Sequence, residues 1–132
     1  MISQENILTY FPFVPLSEWI VAGPEYDNIV LHKSSQMRIT VVIGQNCILG
    51  PGSHVEDGVE FENDVVIKSG CLINTYCKLK NGVIIGNGTK LGTGVVVEEG
   101  IKIGGFCYIG AGSIIEKDVP DFTTIEDKKL EF

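Results

Sequence analysis

Bulky apolar side chains recur at every sixth position from Ile43 to Ile115. The series is Ile43, Leu49, Val55, Phe61, Ile67, Ile73, Leu79, Ile85, Leu91, Val97, Ile103, Ile109 and Ile115. A period of six matches neither the 3.6 of a helix nor the simple alternation of a flat sheet. It predicts a parallel β-solenoid, in which each hexad supplies one short strand and one corner. Three hexads close a triangular coil, so residues eighteen apart share a face. One face then stacks Leu49, Ile67, Ile85 and Ile103, and a second stacks Val55, Ile73, Leu91 and Ile109. The third stacks Ile43, Phe61, Leu79, Val97 and Ile115. Parallel strands lie about 4.8 Å apart, so each column forms a continuous ladder in the interior.

The remaining places of the hexad sharpen this geometry. The fifth place carries small or β-branched groups such as Ser53, Val59, Val65, Val83, Thr89 and Val95, and is expected to point inward. Cys47, Cys71, Cys77 and Cys107 share that phase. They therefore read as small buried hydrophobes rather than metal ligands or disulfide partners. The fourth place is Gly, Asn or Asp in every hexad but two, which predicts a corner with positive φ. Tyr76 and Phe106 are the exceptions, and off-pattern positions in a consistent sequence are where function or strain concentrates.

The phase extends weakly upstream through Leu31, Ser35, Met37 and Val41, so the solenoid is expected over residues 31–120, as about four to five coils. Residues 1–30 have a different texture, with Phe11-Pro12-Phe13-Val14-Pro15 and Trp19-Ile20-Val21-Ala22-Gly23-Pro24. Closely spaced prolines exclude a long helix. This segment is expected to cap the first coil, whose open strand edges would otherwise invite aggregation. The repeat stops after Val119-Pro120, leaving 121–132 as a short charged tail. The fold class is all-β.

Composition narrows the partners. The 132 residues suit one domain, and 10 Lys+Arg against 17 Asp+Glu give a net charge of −7. Such a surface has no broad attraction for nucleic acid or anionic lipid. No apolar run approaches the ~20 residues of a membrane span, and the first residues lack the basic start of a signal peptide. With unpaired cysteines, this predicts a cytoplasmic protein. Burial of the ladder side chains offsets only part of the entropy of ordering the coil, so burial against further copies is expected.

The stretch Ile103-Gly104-Gly105-Phe106-Cys107-Tyr108-Ile109-Gly110-Ala111-Gly112-Ser113-Ile114-Ile115-Glu116-Lys117-Asp118-Val119-Pro120 resembles the last coil of the hexapeptide-repeat acyltransferase superfamily. The resemblance covers roughly residues 31–120. It implies a left-handed parallel β-helix, an exception to the right-handed crossover rule. It also implies a homotrimer with active sites between neighbouring subunits, where the acyl donor, usually acetyl-CoA, lies toward the C-terminal coils. Gly70-Cys71-Leu72-Ile73-Asn74-Thr75-Tyr76-Cys77 is similar to the segment that carries the catalytic His in acetyltransferases of sialic acid and amino-deoxy sugars. Their Asp-His-Asp stands here as Asn74-Thr75-Tyr76; a further active-site His would fall on Ile84. The tail departs too, with Glu126-Asp127-Lys128-Lys129 in place of a Gly-Asn-Pro-Ala turn.

Acyl transfer from a thioester requires the attacking amine or hydroxyl to lose a proton, work suited to a neutral imidazole. Only His32 and His54 are available. His54 occupies an outward place beside a corner and is the candidate base; His32 lies at the ragged start of the repeat. Two histidines do not supply the three-His zinc site of the γ-type carbonic anhydrases, so no metal is expected. The resemblance places coenzyme A along Gly104, Gly105, Gly110 and Ala111, with Phe106 beside them and Lys117 meeting a phosphate as a point charge. The acceptor, such as a nucleotide-linked amino sugar, would lie near Asn74, Thr75 and Tyr76. Two functions follow: an acyl-CoA-dependent N- or O-acyltransferase, or a non-catalytic trimeric scaffold or ligand-binding module derived from one.

Overall fold

The computed structural model describes residues 4–21 and 29–128. Three parallel sheets form the sides of a left-handed β-helix. The first stacks Val30–His32, Ile48–Leu49, Val66–Ile67, Ile84–Ile85 and Lys102–Ile103. The second runs from Gln36–Met37 through His54–Val55, Leu72–Ile73, Lys90–Leu91 and Tyr108–Ile109 to Thr124–Ile125. The third runs from Val42–Ile43 to Ile114–Ile115. Register is the one that the sixfold beat predicts: Leu49 sits on Ile67, Ile67 on Ile85, and Ile85 on Ile103. The ladder residues of the middle coils are buried, as are all four cysteines. Each buried aliphatic side chain contributes about 2 kcal/mol.

Backbone polarity is satisfied between coils rather than within them. Gly50 N donates to Ile67 O at 2.8 Å, and the same pattern repeats up the stack, as at Gly86 N to Ile103 O, also 2.8 Å. The fifth place completes it. Its hydroxyls and thiols donate to carbonyls of the adjacent coil: Ser53 to Lys68 at 2.6 Å, Cys71 to Gly86 at 3.1 Å, Cys77 to Gly92 at 3.1 Å and Thr89 to Gly104 at 2.6 Å. Small donors occupy this inward place because buried carbonyls there need partners. Burial pushes the Cys47, Cys71 and Cys77 thiols up to about 11, which keeps them neutral donors and removes them as nucleophiles.

Corners adopt positive φ at Gly, Asn46 and Asp64 as expected. Tyr76 (φ 61°) and Phe106 (φ 55°) adopt it too, although a left-handed aromatic costs roughly 1–2 kcal/mol. Phe122 joins them at φ 61° and stacks on Phe106, with ring centroids 5.6 Å apart and planes 10° apart.

Phe122 reveals a departure from the expected end of the repeat. The solenoid does not stop at Pro120. Val119 bridges to Ile103, and Thr124–Ile125 pairs with Tyr108–Ile109, each sixteen residues on rather than eighteen. The corner at Glu116–Asp118 is two residues short, and Asp118 Oδ1 accepts the Lys102 N–H at 2.8 Å in its place. Beyond that deletion the coil resumes through Lys128, whose N–H donates to Ala111 O. Residues 129–132, at the end of the expected tail, lie outside the described part.

The N-terminal segment covers the edge of the first sheet and also reaches along its flank. A short helix, Gln4–Tyr10, and the 3-10 turn Leu16–Glu18 precede a strand, Trp19–Val21, that pairs antiparallel with Val30–His32 at the edge of the first sheet. The buried side chains of this segment, Ile7 and Phe11, do not cover the end of the coil. They lie on its flank, against the outward residues Val30, Ile48 and Val66. Outward places of the first face are apolar through Ile84, whereas the second face carries Gln36, His54 and Lys90. Ala22, Gly23 and Pro24 of the expected cap fall outside the described residues.

Two glycine replacements separate backbone strain from close packing. Gly100, at φ 73° with open space where a side chain would stand, should lose about 1–2 kcal/mol as Gly100→Ala. At Gly86 an added methyl meets the Gly104–Gly105 peptide of the next coil, so Gly86→Ala should lose more in urea unfolding. Equal losses would show that the coils slide apart freely.

Alkaline unfolding tests the buried thiols. Their folded pKa lies above the unfolded value of 9.0, so their contribution is complete below pH 9 and is lost as pH rises toward about 11. A protein with Cys47, Cys71 and Cys77 all changed to Ala should show a flatter decline in urea midpoint across that window than the parent. Parallel declines would exclude the thiols as the cause.

Candidate functional site

His54 stands on the outer side of the second face while its neighbour Val55 fills the core. The strand pairing places it between Gln36 and Leu72. A cavity of about 120 Å³ beside it is lined by Gln36, Met37, Arg38 and Glu56, with Arg38 Nε donating to Glu56 Oε2 at 3.3 Å. The imidazole is half-buried and reachable.

His32 is different. It is 5% exposed, with Trp19 edge-on at 5.2 Å. Its Nε2 lies 2.9 Å from Glu18 Oε1, and its Nδ1 lies 2.7 Å from Ser34 Oγ and accepts the Ser34 N–H at 3.1 Å. Ser34 Oγ in turn accepts the Gly52 N–H at 2.9 Å. The relay ties the N-terminal segment to the first two coils, which explains a buried histidine without invoking chemistry.

Asn74, Thr75 and Tyr76 form a corner between the second and third faces. Asn74 N donates to Leu91 O and Tyr76 N to Asp57 O, both at 3.1 Å, and Thr75 Oγ1 lies 3.2 Å from Thr93 Oγ1. The Tyr76 ring lies over the Gly58 backbone and is 69% exposed. Gly110 and Ala111 occupy the same edge two coils further on. Gly104, Gly105 and Phe106 lie on a different edge, between the first and second faces. Lys117 lies at the third, where the open end of the coil leaves a hollow of about 570 Å³ lined by Ile115, Val119 and Ile125. The expected coenzyme A residues are thus spread over three edges of the C-terminal end within one chain.

Their amides are also engaged. Gly104 N donates to Val119 O at 2.8 Å, Gly105 N to Asp121 Oδ1 at 2.8 Å, Gly110 N to Ile125 O at 2.6 Å and Ala111 N to Asp127 Oδ1 at 2.9 Å. Asp127 also accepts from the Tyr108 hydroxyl at 3.0 Å, which raises the Tyr108 pKa. These N–H groups hold the last, shifted coil in place. The equivalent amides are paired in the regular coils too, as Gly86 N to Ile103 O and Ser69 N to Asn87 Oδ1; the two-residue deletion only changes which residues accept.

What the chain does assemble is a groove of about 510 Å³ along the edge between the first and second faces. Gly104, Gly105 and Phe106 form part of its floor, as sequence reasoning placed them. Tyr10 of the N-terminal helix, Lys68, Lys102 and Phe122 were not expected there. Among the described residues no carboxylate lies within 4 Å of either lysine ammonium. The only readable signal for Tyr10 was the apolar flank of the first face. At its N-terminal end the groove reaches Lys68, which packs directly against Gly50 of the coil that carries His54.

A family model described as "Bacterial transferase hexapeptide (six repeats)" matches residues 40–75 and 64–99. A search of curated proteins by sequence returned no match. Among solved structures, a point mutant of perosamine N-acetyltransferase from Caulobacter crescentus, in complex with CoA and GDP-perosamine, is 23% identical with a TM-score of 0.58. The match covers 76% of this chain and 54% of that one. The acetyltransferase domain of PglB from Neisseria gonorrhoeae FA1090, in complex with acetyl coenzyme A, is 24% identical with a TM-score of 0.50, covering 78% of this chain and 58% of that domain's chain. The chain therefore spans little more than half the length of these two structures, and the likeness is one of fold.

Proposed function

From a chain that is a hexapeptide-repeat left-handed β-helix protein, we propose an acyl-CoA-dependent N- or O-acyltransferase acting on a small polar acceptor, with acetyl-CoA as donor. The observation that carries this reading is the groove beside the last coils, which sets two lysines without carboxylate partners among the described residues along an edge leading toward the coil of His54. Coenzyme A is a long polyanion, and cations without a carboxylate partner are suited to its phosphates. The fold is shared with structures determined with CoA or acetyl coenzyme A, which supports the same reading. A nucleotide-linked amino sugar is the proposed acceptor class, with Asn74, Thr75 and Tyr76 presented on the opposite edge of the second face. Because one chain separates these edges, assembly as a homotrimer is the proposed means of bringing an acceptor edge of one copy to the donor groove of another. The proposed setting is the cytosol; among the described residues no helix is long and apolar enough to cross a membrane.

In this reading His54 takes the proton from the acceptor amine or hydroxyl as it attacks the thioester carbonyl, and the thiolate of coenzyme A leaves. A second reading, a non-catalytic scaffold, has one observation in its favour: Thr75, which stands where related enzymes carry their base, has a hydroxyl 3.2 Å from that of Thr93 and no imidazole.

Calorimetry and turnover decide between the two. The purified protein should bind acetyl-CoA, and His54→Asn should lower kcat by roughly 10²–10⁴-fold while leaving acetyl-CoA affinity unchanged. Absence of any binding sinks the transferase reading. Binding with unchanged turnover in His54→Asn removes His54 as the base and retains the transferase.

A further inference from the structure

We propose that the groove between the N-terminal helix and the edge of the coil is a nucleoside-diphosphate site complete within one chain, with the diphosphate between Lys68 and Lys102 and the base against the Phe106–Phe122 pair. The inference rests on the transferase reading only for which molecule brings the nucleotide. Four observations meet there. The cavity, about 510 Å³, is of the size that takes a nucleotide. Lys68 and Lys102 line it without carboxylate partners among the described residues. Asp121, the carboxylate on its wall, has one oxygen held by the Gly105 N–H. Two aromatic rings, 62% and 75% exposed, are held on it in left-handed backbone.

The last of these is the most telling. The same corner column carries Gly52, Gly70 and Gly88 in the three coils below, where glycine adopts positive φ without strain. It changes to Phe106 and Phe122 in the two coils at the C-terminal end of the cavity, whose other end reaches Gly86, Asn87 and Lys68 of the coils below. Strained residues that persist in an otherwise regular repeat cluster at ligand clamps. Exposed aromatic rings supply a surface on which any nucleobase packs, whatever its sequence of hydrogen-bonding groups. The rings and lysines also lie in the order that a nucleotide needs: rings toward the C-terminal coils, Lys102 beside them, and Lys68 two coils nearer to His54. The lower coil spacing of about 4.8 Å separates the lysine-bearing coils by ~10 Å, a span that long flexible ammonium side chains close over a diphosphate. Tyr10 supplies the facing wall, so the N-terminal helix completes the site without a second subunit.

Two sources carry this chemistry, coenzyme A and a nucleotide sugar, and titration of the full-length protein with coenzyme A, ADP and UDP distinguishes them. Lys68→Glu and Lys102→Glu should each weaken binding at least tenfold, and raising salt should weaken the parent but not the double variant. Tyr10→Ala should weaken it too. Phe122→Gly should fold with an undiminished thermal midpoint, because glycine suits that corner, yet bind more weakly; a purely structural ring would show the reverse. Binding of coenzyme A and ADP but not UDP assigns the groove to the acyl donor. Binding of UDP without coenzyme A assigns it to a nucleotide sugar and defeats the donor placement while the site stands. Failure of all three probes to bind, or variants that bind as tightly as the parent, overturns the inference; if coenzyme A still binds in that last case, the transferase reading survives with its donor elsewhere.

Discussion

The hydrogen-bond ladder between coils is the constraint on which the rest of this molecule depends. Each strand is only two residues long over most of the solenoid, too short to be stable against a single neighbour. Pairing above and below, with inward side chains in columns, makes each coil a template for the next. Stability of this kind is nearly one-dimensional: a local change is felt chiefly by the adjoining coils. The inward serines, threonine and cysteines belong to the same device. They close hydrogen bonds to carbonyls that the triangular path turns toward the core, and their burial leaves them chemically quiet.

Regularity of this strictness gives meaning to its interruptions. The shortened corner at Glu116–Asp118 shifts the last coil by two residues. The Asp118 carboxylate accepts the Lys102 N–H, and Asp121 and Asp127 accept the Gly105 and Ala111 N–H groups as Asn87 accepts that of Ser69 in a regular coil. That fastening uses the N–H groups of the glycine-rich end. It also brings Phe122 over Phe106. A single deletion thus decides which residues close the C-terminal end and which ring stacks on Phe106.

The chemistry of the chain is organised by edges. The groove runs along the edge between the first and second faces, His54 stands on the second face, and Asn74, Thr75 and Tyr76 lie on the next edge. The Glu18–His32–Ser34 relay, centred on the buried His32, fixes the N-terminal segment, and that segment in turn forms the wall of the groove at Tyr10. Packing of Ile7 and Phe11 on an apolar flank is therefore more than a cover for hydrophobic surface: it builds one side of the candidate site.

Fold class, coil register, inward columns, positive-φ corners and the burial of the cysteines were all legible in the sequence, because each follows from a local period that the ladder repeats without exception from Ile43 to Ile115. Phe106 and Tyr76 were legible as exceptions to that period. Three things were not. The resumption of the coil after Pro120 was hidden because a two-residue deletion breaks the count while the backbone bonds restore it. The flank position of the N-terminal segment depended on side chains at Val30, Ile48 and Val66 whose outward direction matters only once a partner is packed on them. The groove joins Tyr10 to Lys68, Lys102 and Phe122, residues far apart along the chain. A repeating period determines which residues face inward and which turn corners; only tertiary structure decides which outward residues meet, because that depends on how the non-repeating ends fold back on the coil.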